Sequence, residues 1–254
     1  MMRGVTADFD YSNISERPRG PFLSVLARVL PGVRTVQEQV EPYAVAWQRA
    51  NRAALAGTGP VWVAIGDSMT QGIGATAFDR GWVGQLSTQL TGQGWEHRVV
   101  NLGVNGARVE DVLASQLPVL EDLLDRGTPV GLVTVVIGAN DIVLRRHRAG
   151  LIERFVQLLD RLPPRAVVAN LANPRREARA IDDLLRARDA AGDLVLADMR
   201  RHGPPTWRGR LASDTFHPND AGYTDMAAVF AAAMACGGLP DLTDPGESVV
   251  SDPA

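Results

Sequence analysis

The stretch VWVAIGDSMTQG, residues 61–72, decides the fold. Its first five residues are apolar without polar alternation, which predicts a strand that is covered on both faces. Residues 66–72 then place polar side chains between two glycines, which is typical of a turn from a strand into a helix. Four later runs share the apolar, β-branched character of the first: residues 97–102, 130–137, 165–171 and 194–197. Together these runs predict a parallel sheet of about five strands.

Helical patterns separate these runs along the chain. They cover roughly residues 80–91, 108–125, 145–161, 175–191 and 219–235. Strands that alternate with helices predict a three-layer α/β/α domain around the sheet. We place this domain at residues 59–236.

The two ends of the chain lie outside this domain. Residues 1–58 form an N-terminal extension, and its helical pattern over residues 36–56 predicts a helix that packs on the domain. An earlier apolar helical face also favours packing on the domain over contact with a membrane: Phe22, Leu23, Leu26, Val29 and Leu30. Residues 237–254 are rich in Gly, Pro and acidic residues, so we expect a loose tail.

The composition excludes several classes of function. All 26 basic residues among the 254 are Arg, so the chain has no lysine for a Schiff base or a P-loop. The net charge of −3, with Arg scattered among acids, predicts no binding to nucleic acid. The single cysteine, Cys236, excludes an internal disulfide, and we expect it to be a small buried filler. The four histidines lack metal-ligand spacing, so we expect neither a metal nor a cofactor.

The chain also lacks the sequence signals of membrane insertion or export. No apolar stretch approaches the roughly 20 residues of a transmembrane helix. The first twenty residues are polar, unlike the core of a signal peptide. We therefore expect a soluble cytoplasmic protein without a transmembrane segment.

Polar, glycine-rich clusters follow the predicted strands. They lie at residues 66–72 after the first strand, 103–106 after the second, 138–141 after the third and 214–219 before the last helix. In an open parallel sheet, ligands bind beyond the carboxyl ends of the strands. All four clusters are therefore expected at one edge of the sheet, where a ligand would bind.

The residue types in these clusters are those of acyl-transfer chemistry. Ser68 lies on the strand-to-helix turn, where its hydroxyl can project as a nucleophile if a base takes its proton. His217 is the best-placed base, and Asp214 can hold the imidazole tautomer and stabilise the imidazolium. The backbone N–H groups of Ser68 and Gly103 and the side-chain amide of Asn140 supply three donors for an oxyanion.

The four clusters resemble the conserved blocks of the SGNH hydrolases, also called GDSL-type esterases and lipases. The matching residues are Gly66-Asp67-Ser68, Asn101-x-Gly103, Gly138-x-Asn140-Asp141 and Asp214-x-x-His217. The resemblance implies a flavodoxin-like fold with strand order 2-1-3-4-5, and residues 59–236 would be the SGNH hydrolase domain. It also implies a Ser68-His217-Asp214 triad and an oxyanion hole of Ser68, Gly103 and Asn140. Met69 departs from the Leu or Ile of many members, which concerns packing rather than chemistry.

Each block also has a structural interpretation when taken alone. Ser68 and the Asn140-Asp141 pair suit helix caps or turns, and His217-Pro218 suits a helix start. The order of all four blocks favours the catalytic interpretation. Asp67 and Asp141 are interpreted as scaffold residues that fix the loops by hydrogen bonds.

The substrate is less well defined by the sequence. Short inserts between the blocks argue against a separate lid domain and favour short- to medium-chain esters of small molecules. Trp207 and Arg208 are candidate substrate-binding residues, because Arg binds carboxylate or phosphate groups, although a solvated Arg-rich surface is the favoured interpretation. Asn105 fits a contact with substrate or a loop-shaping role equally.

Two other functions remain open alternatives. The nearer alternative is a deacylase or acyltransferase that acts on an acylated carbohydrate or another polar alcohol. A non-catalytic ligand-binding module is less favoured, because residues 66–74 lack the Gly-x-Gly-x-x-Gly spacing of a dinucleotide site.

Overall fold

The computed structural model describes residues 9–15 and 30–239, which form one parallel sheet with helices on both faces. The five strands are β1 (Val61–Gly66), β2 (Arg98–Asn101), β3 (Val130–Val136), β4 (Ala166–Ala169) and β5 (Leu194–Ala197). Their order in the sheet is β2-β1-β3-β4-β5, and every pair is parallel. The predicted fold class and strand order are therefore confirmed.

Helices connect the strands and precede β1. In chain order they are α1 (Pro31–Gln37), α2 (Val40–Ala56), α3 (Ser68–Gln71), α4 (Trp82–Gly92), α5 (Val109–Asp111), α6 (Leu117–Asp125), α7 (Ala139–Val143), α8 (Arg145–Arg148), α9 (Leu151–Asp160), α10 (Arg176–Ala190), α11 (Met199–His202) and α12 (Asp220–Gly237). A 3₁₀ turn at Phe78–Arg80 precedes α4.

The central strand β1 separates two apolar cores. Val61, Val63 and Ile65 face the core that is closed by α5, α6, α9 and α10. The alternate residues of β1 face the second core under α2, α4 and α12, where the rings of Trp82 and Phe230 stack 4.2 Å apart. Because both faces are covered, the strand needs no polar alternation.

Two helices that the sequence pattern predicts as continuous are interrupted. Between α5 and α6, residues Val112–Gln116 form a π-helical turn. This turn directs Gln116 inward, where its side chain accepts from the N–H of Gly66 and donates to its carbonyl, both at 2.8 Å. The predicted helix over 145–161 breaks at Gly150, whose φ of 64° lies in the left-handed region.

The described part of the N-terminal extension packs on the sheet. Helix α2 and residues 9–15 contact the β2 edge through buried side chains, among them Tyr11, Asn13 and Asn51. The predicted apolar face of Phe22–Leu30 lies outside the described residues except for Leu30, which is exposed. Residues 240–254 of the predicted tail also lie outside them. The expectation for Cys236 is wrong, because it lies on an exposed turn of α12.

Within residues 9–15 and 30–239, no helix is both long enough and apolar enough to span a membrane.

Candidate active site

The turn after β1 holds Ser68 at the start of a one-turn helix. Asp67 caps α3, since its Oδ1 accepts the N–H of Met69 at 3.0 Å. Gly66 permits the sharp turn, because a Cβ at its φ of 157° would lie 2.2 Å from the hydroxyl of Thr70. Ser68 is buried, and its N–H makes no hydrogen bond to the described residues. This unused donor lies beside the serine hydroxyl.

A loop before α12 brings His217 to the serine. His217 Nε2 lies 3.0 Å from Ser68 Oγ, and His217 Nδ1 lies 2.6 Å from Asp214 Oδ2. The other carboxylate oxygen of Asp214 accepts the backbone N–H groups of Phe216 and His217, each at 3.0 Å. Thr215, which lies between Asp214 and Phe216, adopts a φ of 58°. This conformation turns the loop so that both N–H groups point at one oxygen of Asp214. The loop therefore fixes the acid and the imidazole together.

The electrostatics of Asp214 favour its charged form. Burial raises the pKa of its carboxyl, but the hydrogen bond from His217 and the two backbone donors outweigh burial, so that the pKa lies below its usual value. A carboxylate that stays ionised can accept the Nδ1 proton of His217. That tautomer leaves Nε2 without a proton and facing the Ser68 hydroxyl.

Gly103 is not placed as predicted. Its N–H donates to Oδ1 of Asn101 at 2.8 Å, so this donor is occupied inside the fold. A Cβ at Gly103 would lie 2.9 Å from the backbone nitrogen of Gln71, because α3 packs directly on this residue. The glycine is therefore explained by close packing, and the prediction of Gly103 as an oxyanion donor is corrected on this ground.

Gly106 lies in the same turn, and the sequence reasoning missed it. Its N–H makes no hydrogen bond to the described residues, and its φ is 77°. On one side Asn105 N–H binds the side chain of Gln71, and on the other the carbonyl of Ala107 accepts from Asn140 Nδ2 at 2.9 Å. The turn therefore presents an unused N–H between two anchored neighbours. The signal in the sequence was the second glycine of Gly103-Val-Asn-Gly106.

Asn140 lies close to the Ser68 turn at the start of α7. One N–H of its amide holds the carbonyl of Ala107, and Nδ2 lies 3.5 Å from Oδ2 of Asp67. The latter distance is at the long limit of a hydrogen bond, so the second N–H is held weakly. Asn140 thus has a donor that can turn towards a ligand.

Two buried carboxyl groups support the site, as predicted. Asp67 caps α3, and Asp141 Oδ2 accepts the N–H of Val109 at 3.1 Å. Burial raises the pKa of Asp67 to about 7 against the opposing effects of the Met69 N–H and of His217. Burial also raises the pKa of Asp141 to about 6. These two groups therefore keep their protons to a higher pH than exposed acids do.

The candidate substrate-binding residues are accessible. Trp207 is 37 % exposed, Arg208 is exposed, and neither side chain makes a hydrogen bond, ion pair or ring contact with the described residues. Both lie on the loop that leads to Asp214 and His217, but no contact joins them to the triad. The side chain of Asn105 is likewise unpaired there, whereas its backbone N–H shapes the loop.

No group of three or more potential metal ligands occurs among the residues that the structure describes.

Solved structures of esterases and lipases share this fold. A structure described as TesA matches with 21 % identity and a TM-score of 0.53, covering 68 % of this chain and 97 % of that one. A family 3 carbohydrate esterase from Clostridium thermocellum matches with 17 % identity and a TM-score of 0.53, covering 70 % and 96 %. A lipase/acylhydrolase from Enterococcus faecalis matches with 20 % identity and a TM-score of 0.52, covering 69 % and 95 %.

Sequence comparison gives the family. No curated protein sequence is similar enough to count as a relative of this chain. The model of the GDSL-like lipase/acylhydrolase family, however, matches residues 64–224, which is more than half of the chain and spans the clusters after β1, β2 and β3 and the loop before α12. The protein therefore belongs to the GDSL-like lipase/acylhydrolase family and is a serine ester hydrolase.

Proposed function

We propose that the protein hydrolyses short- to medium-chain carboxylic esters with Ser68 as the nucleophile, His217 as the general base and Asp214 as its partner. The observation that carries this proposal is the continuous chain from Asp214 Oδ2 to His217 Nδ1 at 2.6 Å and from His217 Nε2 to Ser68 Oγ at 3.0 Å. Both distances lie within the reach of proton transfer.

The reaction proceeds through an acyl-enzyme. Ser68 Oγ attacks the ester carbonyl while His217 Nε2 takes the hydroxyl proton, and Asp214 stabilises the imidazolium. The tetrahedral intermediate collapses, and His217 gives the proton to the departing alcohol. Water, deprotonated by His217 Nε2, then attacks the acyl-enzyme. The second tetrahedral intermediate collapses, His217 returns the proton to Ser68 Oγ, and the acid leaves.

The oxyanion needs donors that the fold leaves unused. We assign the Ser68 N–H, the Gly106 N–H and the Asn140 amide to this role. The first two make no hydrogen bond to the described residues, and the second N–H of Asn140 has only its 3.5 Å contact with Asp67. Donors that are already oriented stabilise the developing charge without reorganisation.

Accessible side chains on the loops that carry the site suit a small substrate with a polar part. Asn105 lies beside Gly106, and Phe216, which is 56 % exposed, meets the ring of His217 edge-on. Trp207 and Arg208 are unpaired on the loop that carries His217. A flat aromatic and an Arg fork are groups that bind sugars or anions. They support an acylated carbohydrate or other polar alcohol as the rival substrate, and acyl transfer to such an alcohol as the rival reaction.

The nucleophile is tested by covalent labelling. A fluorophosphonate probe is expected to label the wild-type protein and Ser115→Ala, whose serine is exposed on another helix, but not Ser68→Ala. Labelling of Ser68→Ala at the wild-type level would overturn the assignment.

The substrate is tested by a panel. p-Nitrophenyl esters of increasing chain length, acetylated sugars and anionic esters are compared, with and without added alcohol acceptors. A fall in kcat/KM towards longer chains supports the proposed esters, whereas a preference for acetylated sugars, or transfer to the acceptor, supports the rival. Arg208→Ala that lowers hydrolysis of anionic and neutral esters equally would rule out recognition of an anionic group by this residue.

A further inference from the structure

A short N-terminal segment covers the end of the edge strand β2. Tyr11 donates its hydroxyl to the carbonyl of Leu102 at 2.6 Å. Asn13, which is 1 % exposed, donates from Nδ2 to the carbonyls of Asn101 and Gly103, each at 2.9 Å. Three consecutive carbonyls at the start of the 103–106 turn are therefore held by side chains of residues 11–13. This segment lies outside the family match at residues 64–224.

Gln71 links the same segment to the other end of the turn. Its side chain is fully buried at the end of α3. Nε2 donates to the backbone carbonyl of Asn13 at 3.0 Å, and Oε1 accepts the backbone N–H of Asn105 at 3.0 Å. The nitrogen of the amide thus binds the N-terminal segment, and its oxygen binds Asn105, the residue that precedes Gly106.

We propose that Gln71 is a positioning residue, which together with Asn13 orients the Gly106 N–H towards the oxyanion. This inference rests on the proposed function, in which Gly106 supplies that donor. The turn is held at Gly103 by Asn13 and at Asn105 by Gln71, so the peptide between Asn105 and Gly106 has a fixed direction. A displacement of about 1 Å in such a group is enough to lower a rate substantially. The N-terminal segment is accordingly part of the support of the active site.

The hydrogen-bond pattern of Gln71 permits a test by protonation. In Gln71→Glu, a neutral carboxyl group can replace the amide, because its O–H donates to the Asn13 carbonyl and its C=O accepts from Asn105. An ionised carboxylate has no donor and would face the Asn13 carbonyl with a second acceptor. We expect kcat of Gln71→Glu to be roughly 10- to 100-fold below wild type when the group is ionised, with KM changed little.

The measurement is the ratio of kcat for Gln71→Glu to kcat for wild type from about pH 5 to about pH 9, per active site titrated by a fluorophosphonate. The ratio is expected to rise towards one as the pH falls. The matched control is Gln48→Glu, because half-buried Gln48 also donates to the N-terminal segment, at the carbonyl of Tyr11, but does not touch the turn. Its ratio is expected to stay flat and near one.

A flat ratio for Gln71→Glu, or the same slope in Gln48→Glu, overturns the inference. If Gln71→Glu does not fold, Gln71→Met serves instead: a fall in kcat at constant KM supports the positioning role, and wild-type kcat contradicts it. Ser68→Ala is assayed beside these variants. Wild-type activity in Ser68→Ala overturns the proposed function and this inference with it, whereas a flat ratio with inactive Ser68→Ala overturns the inference alone.

Discussion

Two groups of polar side chains lie at the carboxyl edge of the sheet, and they differ in how fully they satisfy their own hydrogen bonds. The first group is the proposed catalytic cluster, called the catalytic cluster below. Its members lie after β1 and β3 and in the loop before α12: Ser68, Asn140, Asp214 and His217. The second group, the β4–β5 cluster, lies after β4 and β5 and on α10, and consists of Asn170, Asp182, Arg186, Asp198 and Arg200. Both are built from groups that suit chemistry, so residue type alone does not separate them.

The residues of the β4–β5 cluster form hydrogen bonds and ion pairs with one another. Asn170 Nδ2 donates to Asp182 at 2.6 Å and to Asp198 at 2.7 Å, while its Oδ1 accepts the N–H of Arg200. Arg186 reaches the same two carboxylates, at 3.3 Å and 2.7 Å. In the catalytic cluster, by contrast, the N–H of Ser68 makes no hydrogen bond to the described residues. A hydrogen-bond donor without a partner in the fold can bind a ligand, whereas donors that bond to neighbouring side chains stabilise the structure.

The largest effect is expected when the proposed nucleophile is removed. Ser68→Ala is expected to lower kcat/KM for a short p-nitrophenyl ester by roughly 10⁵-fold or more, since the members of a triad act as a unit. The thermal unfolding midpoint should stay close to that of wild type, because Ser68 Oγ has His217 as its hydrogen-bond partner and closes no brace. Ser115→Ala on the exposed surface is the control for both assays. Substantial activity in Ser68→Ala would place the nucleophile elsewhere.

A smaller loss is expected when Asp214 is replaced by Asn, which removes the negative charge and keeps the shape of the side chain. Asp214→Asn is expected to lower kcat by about 10³- to 10⁴-fold, because an amide favours the wrong tautomer of His217 and does not stabilise its cation. Steady-state kinetics with the same ester measures this loss. Asp183→Asn, an exposed acid on α10, should change kcat by less than about twofold. A wild-type kcat in Asp214→Asn would contradict the assigned role.

The sequence predicted the parts of the fold and site that depend on residue type. Apolar runs located the strands, and residue types indicated roles for Ser68, Asp214 and His217. The resemblance to a family implied the same roles and supplied the strand order. The sequence did not show that the Asn101 side chain accepts the hydrogen bond of the Gly103 N–H. The partner of a backbone group depends on how two loops meet in space. The bridge from Asn13 to Gln71 spans 58 residues and leaves no local pattern.

The sequence pattern did not predict the β4–β5 cluster. A signal was present, because Asn170 is a polar residue at the end of the apolar run 165–171. The structure explains it: Asn170 is only 3 % exposed and donates a hydrogen bond to Asp198. The π turn that ends at Gln116 likewise follows from a tertiary contact, the hydrogen bonds of Gln116 with Gly66, which overrides helical periodicity. The interruption at Gly150 follows instead from the left-handed backbone of that glycine.

The pH dependence of stability should differ between Asp67, which caps α3 beside the catalytic cluster, and Asp198 of the β4–β5 cluster. Because burial raises the pKa of Asp67 to about 7, the folded protein keeps a proton that the unfolded chain loses near its ordinary value of 3.8. The stability from this group is therefore fully present below about pH 4 and is lost as the pH rises to about 7, amounting to about 4 kcal/mol. Asp67→Asn should remove this part of the slope. Urea unfolding across that range measures it, with Asp183→Asn as the control, and an unchanged slope would refute the prediction.

Asp198 should show the opposite pH dependence, with a smaller effect. Burial raises the pKa of Asp198, but the hydrogen bonds from Asn170 and Arg186 outweigh burial, so the pKa lies below its usual value. Its contribution is present above the unfolded pKa and is lost as the pH falls through the lower folded value. Asp198→Asn is expected to reduce the free energy of unfolding at pH 7 by about 2 kcal/mol, because Arg186 loses an ionic partner.

The same variant should leave kcat/KM per folded molecule within about twofold of wild type, since the side chains of the β4–β5 cluster hydrogen-bond to one another and not to the triad. Urea unfolding and ester hydrolysis on one preparation give both numbers. A large loss of activity at full stability would show that this cluster also acts on the reaction, and the distinction between saturated and unused donors would then fail. Loss of stability with activity retained is the result that separates a brace from a catalytic site built from the same kinds of side chain.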